Sequence, residues 1–568
     1  SAHLSQTIPW SISVEVQASK PWAGISSPTH HLVQQTAPTG AVSLTVAERS
    51  RRQPGEFRLH LLGAGRELAA SVLTYPDRKR GGGYFMLLAA APDLPQTRRS
   101  IDRECTLVID RSGSMNGDKI AQVREGAKQV IGGLAAGEAF NIIIYNHGVE
   151  RFAAAPVVKN PANERAAHSW LDAMLPRGGT NIGDALFEAL RQPASDGRLG
   201  MVLFLTDGIA TVGETGEVAL RRLAGTHNPH SRRIFTIGVG ADVNTHLLEK
   251  LADDSRAAAA FIRPGGNVET TVATTFQRLR GPVLADCRLS VTTSDGGPAP
   301  GRVIDRNPTA IGDLFVDQEL VVVGRYTTGE PVRLTVAGHS RAGEQRIGVD
   351  LDPAEASVTN AFVPRLWASR TIAALVDQIR SMGAKDPDAA VQDPRYQELV
   401  DEIVALSVEY GVLTEYTAFF SENGSLPEGS MDDLAAASEP VFRRRALAER
   451  AGAPALAQSV NNTGRKSATV ADLDASYLDA ELKTQTAKGI NSLQQEAYYR
   501  QADRWVASSV VARDASQRSP DREVAFASPA YFELAAQLTS DNRQAGLAVT
   551  GDILLDVGDE LVLVHGAR

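Results

Sequence analysis

Over residues 1–103, apolar and polar positions alternate in short runs. Val42, Leu44 and Val46 interleave with polar neighbours, and Phe57, Leu59 and Leu61 do the same around Arg58 and His60. A period of two marks strands with one face on a core. Runs at 68–75 and 84–90, divided by Pro76 and the turn signal Gly81-Gly82-Gly83, predict further strands, so this region is expected to be all-β. At residue 104 the pattern changes. Short apolar runs at 106–109, 140–145, 201–205 and 234–239 alternate with stretches of helical period at 119–134, 162–174, 183–190, 220–223, 247–251 and 268–279. Strands apolar on both faces, separated by helices, predict an α/β unit over 104–282: a doubly wound, mostly parallel sheet with helices on both sides.

Residues 283–360 return to β character in Leu320-Val321-Val322-Val323 and in the alternation of Val332, Leu334 and Val336. This region is expected to pair with the N-terminal strands in one β-sandwich. The α/β unit then becomes an insertion, which requires only that its ends lie close together. A helical segment over 361–420 follows, with Leu366, Trp367, Ile372, Leu375, Val376 and Ile379 on one stripe and Leu399, Val400, Ile403 and Leu406 on another. Residues 421–471, rich in Ala, Ser, Gly and Glu, read as a linker or peripheral segment. A small C-terminal β module is expected over 472–568, from the runs Ile553-Leu554-Leu555 and Leu561-Val562-Leu563-Val564.

Composition narrows the function classes. A chain of 568 residues exceeds one core and suggests three or four domains at about 150 residues each. A formal net charge of −9 argues against nucleic acid, whose phosphates reward a basic face. The chain has no apolar run of the roughly 18 residues that a membrane helix needs. The start, Ser1-Ala2-His3-Leu4, lacks the basic flank and apolar stretch of a signal peptide; a trimmed, mature terminus would look the same. Two cysteines are too few for a disulfide framework or a structural zinc site.

The chemistry lies at the ends of the apolar runs. Asp110, Ser112 and Ser114 form an Asp-x-Ser-x-Ser triplet just after 106–109; Thr180 sits in Arg177-Gly178-Gly179-Thr180-Asn181, and Asp207 in Leu205-Thr206-Asp207-Gly208. Open α/β sheets place ligands at the carboxyl ends of their strands, so these five oxygen-bearing side chains are expected on one edge. Hard oxygens with little charge suit Mg2+, with Mn2+ or Ca2+ as alternatives. Ser112, Ser114 and Thr180 are expected as direct ligands, with Asp110 and Asp207 supplying charge directly or through water. Alone, the triplet reads better as a turn with helix-capping residues; the long-range partners are what favour a metal. Asp118 is expected to cap a helix or face solvent. There is no nucleophile elbow, phosphate loop or zinc-binding helix, and no base beside the metal site, so a non-catalytic role is expected.

Asp110-Arg111-Ser112-Gly113-Ser114-Met115, Phe140-Asn141-Ile142-Ile143, Arg177-Gly178-Gly179-Thr180-Asn181-Ile182 and Leu205-Thr206-Asp207-Gly208 resemble a von Willebrand factor A domain with its metal-ion-dependent adhesion site. Thr211-Val212-Gly213-Glu214, Gly238-Val239-Gly240-Ala241-Asp242-Val243-Asn244 and Tyr410-Gly411-Val412-Leu413-Thr414-Glu415-Tyr416-Thr417 narrow the resemblance to inter-alpha-trypsin inhibitor heavy chains and their bacterial relatives. It covers about residues 25–420. The resemblance implies an exported, adhesive protein that binds a protein or matrix partner through that partner's carboxylate. The alternatives are a structural assembly subunit with a static metal, or an intracellular partner of an AAA+ ATPase. Proteins of this kind usually begin with a VIT domain, and this chain is expected to start at or beyond the end of one. The Asp-Pro pairs at Asp352, Asp386 and Asp393 are internal and lack the Asp-Pro-His context of covalent transfer to hyaluronan, so that activity is not expected.

Cys105 precedes the first strand of the α/β unit and Cys287 follows its last helix. Either they form a disulfide clamp across the ends of the insertion, or they are two buried thiols. His30-His31 reads as a surface or turn pair, Arg443-Arg444-Arg445 as a solvated helix face, and Trp367 and Tyr410 as core anchors.

Overall fold

The computed structural model describes residues 11–16, 22–36, 41–47, 57–63, 68–77, 79–90, 100–316, 318–418, 429–472, 475–487, 489–493, 496–558 and 560–566. The chain's first four residues, and 421–428 of the expected linker, lie outside the described residues.

The α/β unit is built on a seven-stranded sheet. Its parallel core runs Ala139–Tyr145, Asp102–Asp110, Arg198–Thr206, Arg233–Val239, Ala259–Ile262, with Val149–Arg151 and Val157–Val158 antiparallel on the first strand. Successive side chains of a strand point to opposite faces, and the sequence uses both. Cys105, Leu107 and Ile109 pack with Val123, Val130, Leu171 and Phe276 from helices Asp118–Gly132, Pro161–Asp172 and Val268–Arg278. Val108 faces the other way, packing with Phe204, Leu186, Leu220 and Leu251 against helices Ile182–Leu190, Glu217–Thr226 and Thr245–Asp254. The continuous apolar runs of the sequence are thus strands covered on both sides.

The insertion geometry is explicit. The Ile101 amide donates to the Pro282 carbonyl at 2.8 Å, so the unit's entry and exit strands are bonded to each other. Around them stand two four-stranded sheets. One orders Leu314–Phe315, Pro282–Thr293, Val332–Ser340, Gly343–Leu351; the other orders Val303–Asn307, Glu319–Tyr326, Gly83–Ala90, Ala69–Pro76. Gly83–Ala90 pairs antiparallel with Glu319–Tyr326 across the insertion, and Phe85 and Leu87 bury beside Leu284, Val322 and Leu334. At the edge of the α/β sheet away from Asp110, buried ion pairs Arg103–Glu138 and Arg232–Glu104 hold the strand starts, and Arg233 reaches Asp313 and Asp286 of the sandwich.

One expectation is corrected and another is extended. The stretch expected as a linker carries helices Met431–Phe442 and Ala453–Lys466, joined by a π-helical segment Arg443–Ala448. Leu434, Phe442 and Leu447 are buried in a large shared core, as are the small residues Ala435 and Ala446, and Leu456 and Ala457 are buried as well. Small side chains let helices approach closely: a Cβ on Gly383 would stand 2.2 Å from the Leu447 carbonyl oxygen. The same small residues made the segment look peripheral in sequence. The C-terminal part carries the expected β sheet, which shares its core with the rest of the chain. Its six-stranded sheet, with helices Ser508–Val511 and Pro529–Ser540, packs Tyr498, Tyr499 and Leu554 into one core with Val400, Trp367 and Tyr84. The Asp-Pro pairs have a local explanation. Asp352, Asp386 and Asp393 each cap a helical turn through the side chain with proline in its first positions, an arrangement that satisfies free amides where proline needs none.

Candidate metal centre

Strand Asp102–Asp110 ends in a tight turn that folds back on Asp110. Its carboxylate Oδ1 accepts the Ser112 amide at 2.8 Å, and Oδ2 accepts the Thr206 hydroxyl at 2.8 Å and the Tyr145 hydroxyl at 3.5 Å. Because Asp110, Tyr145 and Thr206 are the last residues of three adjacent parallel strands, the sheet itself sets this arrangement. Asp110 is buried, and burial raises its carboxyl to about 6, with the nearby Asp207 adding to the rise and bonds from Ser112 and Thr206 opposing it.

The hydroxyls form a chain. Ser112 Oγ and Ser114 Oγ stand 2.9 Å apart, and Ser114 Oγ donates to Asp207 Oδ1 at 2.7 Å. Thr180 arrives from its own loop. The Gly178 carbonyl accepts the Gly113 amide at 3.0 Å, and the Arg111 carbonyl accepts the Arg177 amide at 2.7 Å, which lays the 177–180 loop across the triplet. Gly178 holds φ at 79°, where a side chain is strained, and a Cβ on it would press His147 Nδ1 at 2.6 Å. A Cβ on Gly179 would stand 2.8 Å from Val212 Cγ2, so only glycine lets Thr180 pack this closely on the Thr211-Val212 turn, which is bonded to the Thr180 carbonyl and amide.

Gly208 shows where the hydroxyls converge. A Cβ there would lie 3.6 Å from Thr180 Oγ1 and 3.8 Å from Ser114 Oγ. The structure therefore brings all five expected residues to one sheet edge. Asp110, Ser112, Thr180 and Asp207 are buried, and Ser114 is exposed. Two buried carboxylates and three hydroxyls fit a hard divalent cation. Among the described residues no group of three or more His, Cys, Asp or Glu is placed to hold a metal ion, so a cation here depends on the serine and threonine oxygens. Asp118, in the first turn of its helix, is exposed.

Three neighbours were not picked out from sequence. Thr206 and Tyr145 bind Asp110, and Lys119 Nζ bonds Asp207 Oδ2 at 2.6 Å. A signal for Lys119 existed: a lysine in the first turn of a helix opposes the macrodipole and calls for a partner.

The other candidates fall elsewhere. Cys105 and Cys287 are free and buried, one in the α/β core and the other in the sandwich core, so the disulfide clamp is not formed and the two-thiol alternative holds. Burial pushes each thiol up to about 12. His30 lies in a turn where its amide donates to Ser27 Oγ, but it is buried against Phe57 rather than on the surface. Arg445 is also buried, while Arg443 is exposed. Trp367 is a core residue whose Nε1 donates to the Asp305 carbonyl, and the Tyr410 and Tyr84 hydroxyls meet at 2.5 Å.

Residues 105–273 match the von Willebrand factor type A domain family. The chain is 27% identical over 354 residues to inter-alpha-trypsin inhibitor heavy chain H4 of Homo sapiens, covering 59% of this chain and 36% of that protein. It is 24% identical over 369 residues to heavy chain H2 of Sus scrofa, covering 62% and 37%. The match thus spans little more than a third of the length of these relatives. A solved structure of a von Willebrand factor type A protein from Catenulispora acidiphila is similar at 16% identity with a TM-score of 0.42, covering 60% of this chain and 86% of that one.

Proposed function

With residues 105–273 forming a von Willebrand factor type A domain, we propose that the chain is a recognition protein. In this reading it holds Mg2+ at the edge formed by Asp110, Ser112, Ser114, Thr180 and Asp207, and the ion takes a carboxylate from a protein or matrix partner. The observation that carries the reading is the convergence of three hydroxyls on two buried, mutually repelling carboxylates at the carboxyl ends of the sheet strands. Mg2+ is favoured over larger ions because it keeps several waters and needs few protein oxygens. Asp110 already accepts bonds on both oxygens, which favours hydroxyls as the direct ligands and the carboxylate as outer charge. An ion with few charged ligands stays electrophilic toward an external anion.

The role assigned is binding rather than catalysis. Both oxygens of Asp110 and of Asp207 are engaged by the chain's own donors, so neither is held ready as a general base. An exported location is part of the same proposal, carried over from the heavy-chain resemblance; no helix among the described residues is long and apolar enough to cross a membrane.

The test is capture of partners from surface or matrix extracts on immobilised protein, in Mg2+ and in EDTA, with Ser112→Ala as control. Partners retained in Mg2+ and lost with EDTA or Ser112→Ala support the reading. The same partners in every condition sink it.

A further inference from the structure

The metal edge contains a cation of its own. Lys119 Nζ lies 2.6 Å from Asp207 Oδ2 and 3.3 Å from the Ser114 carbonyl oxygen. The other Asp207 oxygen accepts the Ser114 hydroxyl, and that hydroxyl stands against Ser112. Ser112, Ser114, Asp207 and Lys119 therefore form one hydrogen-bonded chain that ends in an ammonium. The Asp207 side chain has no exposure, whereas Lys119 is 40% exposed: the lysine reaches in from solvent to a sealed carboxylate. It does so from the second residue of helix Asp118–Gly132, where the positive end of the helix opposes a cation. The Asp207 pairing offsets that penalty. Asp110, the other carboxylate of the edge, accepts instead from two hydroxyls and an amide.

We propose that Lys119 is a built-in counter-cation that opposes the divalent ion and keeps its affinity low. The inference rests on the metal-site reading above. A fixed positive charge one hydrogen bond from a charge-supplying carboxylate cancels part of the attraction that carboxylate offers an incoming ion, and it repels the ion directly. At the partly screened edge of a protein, a unit charge at such range is worth a factor of about ten or more in affinity. The consequence is a site that loads at high Mg2+ and releases the ion readily, so that a partner's carboxylate adds a large share of the binding.

Calorimetric titration of Mg2+ into the full chain and into Lys119→Met, Lys119→Gln and Lys119→Arg tests this. The methionine and glutamine variants are expected to bind Mg2+ about tenfold more tightly or better, and the arginine variant to stay near wild type, because charge rather than shape is the cause. Unchanged or weaker binding in both neutral variants overturns the inference while leaving the metal site intact. Tightening in Lys119→Arg equal to that in Lys119→Met also overturns it. If neither wild type nor any variant binds Mg2+, the metal reading falls, and this inference falls with it.

Discussion

Replacing Arg380 with methionine should loosen the α/β domain from its helical support. Arg380 lies on helix Phe362–Gly383 with no exposed side-chain surface, and its guanidinium pairs with Glu249, itself 2% exposed, on helix Thr245–Asp254 of the α/β domain. It also donates to Ser459 Oγ at 2.8 Å and to Thr245 Oγ1 at 3.4 Å, while Thr463 donates to the other Glu249 oxygen at 3.1 Å. Burial pushes the Glu249 carboxyl up, and Arg380 is the largest influence holding it down. Removing one partner of a buried pair costs about 3–5 kcal/mol, because the remaining charge has lost its compensation. The lower end applies here, since Lys466 also attracts Glu249. A loss of about 3 kcal/mol in local stability corresponds to roughly hundredfold faster amide exchange, where exchange proceeds by opening of this interface. Hydrogen exchange over Thr245–Asp254 measures it directly. Adding Glu249→Gln to Arg380→Met should recover most of the protection, because the stranded charge is gone. Less than about fivefold faster exchange in the single variant, or no recovery in the double, would refute the assignment of this pair as a clamp.

The pH dependence of the same interface follows from His246, which is wholly buried, bonds Glu217 through Nδ1 and faces Ser381 and Asp377 through Nε2. Burial lowers its imidazole from 6.5 to about 4 despite Glu217; the folded state therefore holds it neutral, and stability present above pH 6.5 drains away as pH falls toward 4, by up to about 3 kcal/mol. His246→Gln should flatten the stability profile in that window, and an unchanged slope would assign the acid sensitivity to other groups. Gly179→Val should weaken Mg2+ binding about tenfold or more with the fold intact, since its side chain displaces Val212 and with it the Thr180 loop; a titration matching wild type contradicts the role given to that loop. Neither thiol should react with a disulfide reagent in the native protein, and both should react in urea, because burial keeps Cys105 and Cys287 protonated and covered.

Much of the α/β domain was legible because its strands are buried on both faces and so appear as unbroken apolar runs, and because Asp110, Thr180 and Asp207 each follow such a run or a Gly-Gly turn. The sandwich was legible for a related reason: an insertion interrupts the chain but not the alternation of Phe85, Leu87 and Leu334. Helices Met431–Phe442 and Ala453–Lys466 were not, since Ala, Ser and Asn occupy many of their buried positions and carry little hydrophobic signal. The C-terminal sheet was half legible. Its strands showed, but nothing local in Tyr499 indicates that it buries against helix Pro394–Tyr410, where its hydroxyl meets the Val408 carbonyl. Within the site, the oxygens could be read from residue type and spacing, whereas Thr206, Tyr145 and Lys119 act through contacts that exist only once three strands and a helix are assembled.

The edge formed by Asp110, Ser112, Ser114, Thr180 and Asp207 is expected to hold one divalent ion. Calorimetric titration of Mg2+ into the wild-type chain and into Asp110→Asn tests it most directly. The asparagine keeps the shape of the turn and removes the buried charge. Saturable binding of about one ion per chain is expected in the wild type, and its loss in the variant. No binding to the wild type, or undiminished binding to Asp110→Asn, would contradict it.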